Sequence, residues 1–383
     1  MIPMIILALI VAIAVFLFWG VLQLDIPGMW KFVIIFIEMI AVSQIFIKKY
    51  KLPSEIGLVL IKGKKGIDII DSLARHGRPF RFLSDVGTTI AYGLSSIAIT
   101  RKNISFGSVV IGLALLLFLS IWVAPNAFFV LFNMLNIGSE ESVGSISQEG
   151  MDLTVPLVTG ILVLGGLLLF LLFGIIFYGM IVLERIVSYL LTGSQRIFET
   201  DPGGTLLLPG VNLPLFEGII ALTIVMIMHE GAHAVLARIA KIPIQSSGIV
   251  LFGIIPVGAF VEPDEEKLAK TDDRRQTRVL VAGCTSNLIT SAVTFLLFAA
   301  LVLWVPEEFA QNAVIAFLRT TLGLTFALNF IVGAINLLPL PVFDGYRLME
   351  VNVKNGRIVK ALMYITLLFF ILNFSPWLFR FFV

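Results

Sequence analysis

Two histidines four residues apart, His229 and His233, bracket a glutamate, Glu230, in the stretch MIMHEGAHAVLARIA at residues 226–240. On a helix, side chains at i and i+4 stack on one face. Two imidazoles placed this way can share one Zn²⁺ at about 2.0–2.1 Å from each. Glu230 points a little around the helix, where it can take a proton from a water at the metal rather than ligate. That is the H-E-x-x-H logic of zinc-assisted amide hydrolysis. The plainer reading is a buried polar pair with Glu230 bonded to a neighbour. It is disfavoured because the flanking residues are apolar enough to span a membrane, and ionisable groups inside a span are costly unless they have a task. The chain has 3 histidines. The third, His76, lies among Arg75, Arg78 and Arg81 and reads as a solvated loop residue.

A catalytic zinc takes three protein ligands, so two histidines leave it one short. No further histidine lies near a span, and a carboxylate must complete the set. Those in apolar segments are Glu38, Glu184, Glu217 and Asp344. Asp344 sits in INLLPLPVFDGYRL, residues 335–348. Pro339 and Pro341 lack N–H donors and break a helix, which lets the chain bend Asp344 back toward a metal. Gly345 permits the tight turn that follows. Asn336, eight residues before Asp344, offers an amide for an oxyanion or an attacking water. Taken alone, the same stretch also reads as a helix-ending loop with Asp344 as a cap.

The elements that must position these residues follow from composition. Of 383 residues, 58% are hydrophobic and 14% charged, against roughly 45–50% and 25% in soluble domains. With a mean hydropathy of +1.01, the chain reads as an all-α multi-pass membrane protein, a bundle of transmembrane helices. A net charge of +2 gives no footprint for nucleic acid. The single cysteine, Cys284, excludes an intrachain disulfide and a CxxC site; it reads as an inert small residue in a helix.

Apolar runs of about 20 residues predict spans at 2–23, 31–47, 106–124, 155–183, 215–237, 280–304, 314–335 and 359–378. The first has no basic stretch before it and is too long for a signal-peptide core, so it reads as a retained helix. Residues 87–100 are short and rich in Gly, Ser and Thr, and read as either a thin span or a re-entrant piece. Residues 125–136 are too short to cross alone. Residues 242–268 are broken by Gly and Pro and rich in β-branched residues. They predict a small membrane-associated β segment near 246–261, ending in an acidic turn at Asp264–Glu266.

Loop charge gives an orientation. Residues 48–86 hold nine basic and four acidic residues, which makes this loop cytoplasmic by the positive-inside bias. Residues 238–278 and 344–360 are also basic, whereas 305–313 carries Glu307 and Glu308 and no Lys or Arg. The helix bearing the histidines then runs outside to inside, and the chemistry lies toward the cytoplasmic side of the cell membrane.

The pair of motifs resembles the site-2 protease family of intramembrane zinc metalloproteases. The resemblance rests on His229-Glu230-Gly231-Ala232-His233 in one span, then Asn336-Leu337-Leu338-Pro339-Leu340-Pro341-Val342-Phe343-Asp344-Gly345 at the end of another. It covers roughly residues 214–380. It includes GAFVEPDEE at 258–266, similar to the family's membrane-dipping β segment, and Gly283 with Asn287, similar to its G-x-x-x-N pattern. It implies that His229, His233 and Asp344 hold Zn²⁺, that Glu230 is the general base, and that Asn336 positions water or stabilises the transition state. The implied substrates are transmembrane proteins cut within or near the bilayer. It also implies a division into an N-terminal transmembrane region, 1–210, with the basic loop 48–86, and a catalytic core, 211–383. Residues 238–278 and 344–358 are too short for the PDZ insertion that many bacterial members carry. Two other readings compete: a membrane H-E-x-x-H peptidase with a glutamate third ligand, and a non-enzymatic zinc transporter or scaffold. The first lacks a suitable later glutamate, and the second lacks staged His/Asp residues along a path.

Overall fold

The computed structural model describes residues 2–26, 28–55, 57–63, 65–100, 104–135, 148–205, 207–310 and 312–380. In chain order the elements are α1 (Ile2–Gln23), α2 (Gly28–Tyr50), β1 (Ser54–Glu55), β2 (Leu58–Gly63), α3 (Lys65–Ala74), α4 (Gly77–Tyr92), α5 (Ser95–Ile99) and α6 (Phe106–Phe118). There follow α7 (Ala124–Leu135), α8 (Gln148–Thr192), α9 (Leu215–Ile239), β3 (Ile244–Phe252), β4 (Ile255–Pro263), α10 (Glu265–Ala269) and α11 (Asp273–Trp304). The chain ends with α12 (Glu307–Ala310), α13 (Ala313–Ile335), α14 (Asp344–Asn352), α15 (Gly356–Phe374) and α16 (Pro376–Arg380). Among the described residues, 8 helices are long and apolar enough to cross a membrane, and each corresponds to one expected span. The protein is a multi-pass membrane helical bundle with one small sheet.

Polar residues start the helices where the apolar runs begin. Asp272 accepts from Arg275 N at the head of α11, and Asn312 accepts from Val314 N and Ile315 N at the head of α13. Each bond satisfies a donor that the first helical turn leaves without a partner. Residues 125–136 do not stand alone. A five-residue π turn, Leu119–Val123, joins α6 to α7, so residues 106–134 form one continuous apolar span. The expected span at 155–183 is broken at Gly166, whose φ of 68° and ψ of −167° are not helical.

Residues 87–100 are expected from sequence as either a thin span or a re-entrant piece. They form the buried end of α4, a turn at Gly93, and α5. The turn docks into the break at Gly166: Leu94 N donates to Val163 O at 2.7 Å, and a Cβ on Gly93 would sit 2.5 Å from that same carbonyl. Two backbone breaks thereby satisfy each other's freed groups, which a low-dielectric interior demands. At its other end α4 is tied to α11 by Asp85, which accepts from Arg278 Nε at 2.7 Å and Arg278 Nη2 at 2.6 Å.

The sheet has the order β1-β2-β3-β4, antiparallel throughout. The expected β segment near 246–261 is present as the hairpin β3–β4. Residues 54–63, read from sequence only as part of a basic loop, add two further strands to it. In β2, Val59 pairs with Leu251 and Gly63 with Ser247. The hairpin tip is held by α2: Gly253 N donates to Ser43 Oγ at 2.8 Å. Gly253 has φ of 61°, and a Cβ there would lie 2.9 Å from Met39 Cα. The main core cluster joins α4, α8, α9, α11, α13 and α14, with Val281, Leu288, Leu324 and Phe326 among its most buried members.

Candidate metal centre

Helix α9 is apolar along most of its length, and His229 and His233 face inward on it, their rings 4.8 Å apart. The chain leaves α13 at Ile335, turns through 336–343 and enters α14 at Asp344. The turn folds tightly: Gly345 N donates to Asn336 O at 2.7 Å. A Cβ on Gly345 would lie 2.0 Å from Leu337 O, so only glycine permits this approach. The outcome is that Asp344 Oδ2 stands 3.1 Å from His229 Nε2 and 3.1 Å from His233 Nε2, while the two Nε2 atoms are 3.2 Å apart. One ligand atom from each of the three residues lies within 4.8 Å of the others.

The protonation pattern supports a donor set. His233 Nδ1 lies 2.7 Å from Val279 O. A carbonyl only accepts, so Nδ1 carries a proton, and Nε2 is the nitrogen turned toward Asp344 and the gap. Space is kept open by α11. A Cβ on Gly283 would lie 2.3 Å from His233 Nε2 and 2.6 Å from His229 Nε2. Two imidazole nitrogens and a carboxylate oxygen around a gap that a methyl group would fill suit Zn²⁺ in type, number and size. Three protein ligands leave a fourth position free, as catalytic sites do.

Glu230 is partly buried on α9, and its Oε2 accepts from Val261 N of β4 at 3.3 Å. Asn336 caps α13; its Nδ2 donates to Val332 O at 2.9 Å, and its backbone carbonyl holds Gly345. The remaining carboxylates considered from sequence are not in the group. Glu184 accepts from Ser188, Glu38 lies on α2, and Glu217 opens α9. The helix bearing both histidines is anchored at its far end by Arg238, which donates to Asp71 of α3 at 2.5 and 2.7 Å. That hydrogen bond holds the Asp71 carboxyl below its usual range.

Cys284 is buried, and its Sγ lies 3.8 Å from Asp344 Oδ2. Two residues whose positions motif spacing alone did not explain also meet the imidazoles. Gly283 lines the gap, and Asn287 Nδ2 lies 3.2 Å from His229 Nδ1. The resemblance pointed to both without giving either a contact. Within the β3–β4 hairpin, β3 is paired on both sides along 247–251, and the outer edge of β4 faces Glu230.

Residues 217–373 match the model of peptidase family M50. The matched segment runs from α9 through α15 and contains all three residues of the cluster. Peptidases of that family are zinc metalloproteases, and the matched segment of this chain lies within a membrane helical bundle. An uncharacterised protein of Methanocaldococcus jannaschii is 42% identical over 78 residues, which is 20% of this chain and 21% of that protein. The match thus spans about a fifth of the relative's length. No solved structure matches the chain.

Proposed function

We propose that the protein is a zinc-dependent intramembrane endopeptidase that hydrolyses peptide bonds of membrane-anchored proteins within or near the bilayer. The observation that carries this reading is the meeting of His229 Nε2, His233 Nε2 and Asp344 Oδ2 at about 3.1 Å, with Glu230 one residue along α9, inside a bundle of apolar helices. His229, His233 and Asp344 are the residues that would hold the ion. When bound, zinc supplies a Lewis acid and brings the pKa of a water to about 7. Glu230 takes the water's proton and later passes it to the leaving amine. The Asn336 amide has two N–H groups; one serves Val332 O, and the second is free to stabilise the oxyanion.

A substrate helix hides its carbonyls in its own hydrogen bonds and must unwind before attack. The outer edge of β4 offers the unwound segment a strand to pair with. Residues in an antiparallel strand alternate in facing, so Ala259, two before Val261, presents its N–H on that same outer side. Loop charge supports a site toward the cytoplasmic side of the cell membrane, with residues 211–383 as the catalytic core and 1–210 packed around it. Substrates of this kind are those of regulated intramembrane proteolysis.

The test pairs zinc content with cleavage of a single-span substrate in detergent or vesicles. The wild-type protein should bind one zinc and cut. Glu230→Gln should keep the zinc and lose roughly 10²–10⁴-fold in turnover. Asp344→Ala should lose both. Stoichiometric zinc with no hydrolysis of any spanning substrate would move the assignment to a zinc transporter or scaffold.

A further inference from the structure

We infer that Asn287 is a positioning residue for the metal centre, fixing His229 in the tautomer whose Nε2 can ligate. The inference rests on the zinc reading above and adds to it a residue outside the ligand set. Asn287 lies on α11, fully buried. Its carboxamide meets His229 on the side of the ring away from Asp344: Nδ2 is 3.2 Å from His229 Nδ1. Its Oδ1 is buried with no hydrogen-bond partner.

The two histidines differ in what holds their outer nitrogens. His233 Nδ1 faces the Val279 carbonyl, which only accepts, so its Nε2 is free to ligate. His229 Nδ1 faces an amide, which can donate from nitrogen or accept through oxygen. With nitrogen toward the ring, Nδ1 must accept, Nε2 carries the proton, and the ring donates to Asp344 Oδ2 at 3.1 Å. With oxygen toward the ring, Nδ1–H donates to Oδ1 and the Nε2 lone pair faces the gap beside Gly283. A half-turn of the amide interchanges two groups of nearly the same shape. The second arrangement also gives the buried Oδ1 the partner it otherwise lacks, and leaving a buried acceptor orphaned is destabilising. Zinc binding and the satisfaction of Asn287 Oδ1 are therefore favoured by the same rotation. The packing holds the amide beside the ring. A Cβ on Gly333 of α13 would approach Asn287 Cβ to 3.0 Å, so glycine there lets α13 close against α11 at this level.

The experiment measures zinc affinity of the purified full-length protein by chelator competition, together with the visible spectrum of the Co²⁺-substituted form. Asn287→Leu keeps the branched shape and removes the acceptor; its zinc affinity should fall about 10–100-fold, the range for loss of an outer partner of a ligating histidine. Asn287→Asp keeps an oxygen acceptor and should bind within a few-fold of the wild type or more tightly, with a Co²⁺ spectrum like the wild type's. Asn329→Leu is the structural control. Asn329 is equally buried, at the same helix pair, and bonded to Thr325 rather than to a ring, so this variant should leave zinc affinity unchanged. If Asn287→Leu does not fold, Asn287→Ala is read against Asn287→Asp in the same way. The inference is overturned if a folded Asn287→Leu or Asn287→Ala binds zinc as the wild type does, if Asn287→Asp loses tenfold or more, or if Asn329→Leu weakens zinc as much as Asn287→Leu. A wild-type protein that binds no zinc removes the metallopeptidase reading itself, and this one with it.

Discussion

The helices α9, α11 and α13 and the α1–α2 pair are all apolar enough to span a membrane, but they are built differently. Half of α13's apolar window is buried against protein, and 11% of α1's is. Around the centre, glycines bring the backbone close to its neighbours: Gly283 to both imidazoles, Gly333 to Asn287, and Gly345 to the backbone carbonyl of Leu337. The α1–α2 pair meets the rest mainly through side chains such as Phe18, Ile35 and Met39, through Ser43 at the hairpin tip, and through the strand that follows it. At these three glycines of the first region an added methyl group collides. In the second, an altered side chain is expected to shift the sheet and leave His229, His233 and Asp344 in place. Chemistry and support are thus separable by substitution.

The largest expected effect breaks the first region without touching a ligand. Gly283→Ala places a methyl group where the ion would sit, so the purified protein should carry no zinc above background by metal analysis and show no turnover; near-stoichiometric zinc would mean the gap is not the binding site. Next, Ala259→Pro removes an outward N–H of β4 and no bond of the β3–β4 ladder. Cleavage should slow about tenfold, the equivalent of one lost hydrogen bond of about 1.4 kcal/mol, with zinc content unchanged. Undiminished cleavage would count against strand addition.

Smaller effects sharpen the second region. Ser43→Ala leaves the Gly253 N–H buried without an acceptor, which costs about 1–3 kcal/mol in chemical denaturation, while zinc affinity stays at the wild-type value. A parallel loss of zinc would show that support and chemistry are coupled. The smallest concerns Asp71 and Arg238. Because the Arg238 hydrogen bond lowers the Asp71 carboxyl in the folded state, this pair stabilises fully above the ordinary aspartate value of 3.8. The contribution fades as pH falls through the lowered value. The denaturation midpoints of wild type and Asp71→Asn should differ by a small, salt-sensitive and constant amount from pH 7 to about 5, then converge in more acidic buffer. A gap that widens on acidification would contradict the sign.

Much of this was legible in the chain. The eight spans follow from apolar runs, because a membrane span is a local property of sequence. His229, Glu230 and His233 follow from helical spacing; the shortage of ligands and the Pro-broken stretch make Asp344 a candidate, and only the resemblance singles it out over a helix cap. What spacing could not show is what depends on two distant segments meeting. Residues 58–63 are a mixed apolar and basic run, and nothing local says that they pair with 247–251. Gly283 and Asn287 acquire meaning only when α11 crosses α9. The breaks at Gly93 and Gly166 are each ordinary glycines until they are seen to lean on each other. The π turn at 119–123 has no composition signal, so residues 125–136 looked stranded.

The β2–β3 pairing has a practical consequence for dividing the chain. A fragment starting near residue 211 would retain His229, His233 and Asp344, but it would lose the neighbour on one side of β3 along 247–251. It would also lose the hydroxyl that receives Gly253 N. A bare row of backbone donors and acceptors invites another chain to add itself there. Such a fragment is expected to self-associate through that seam, and supplying residues 1–100 as a separate polypeptide should suppress the association.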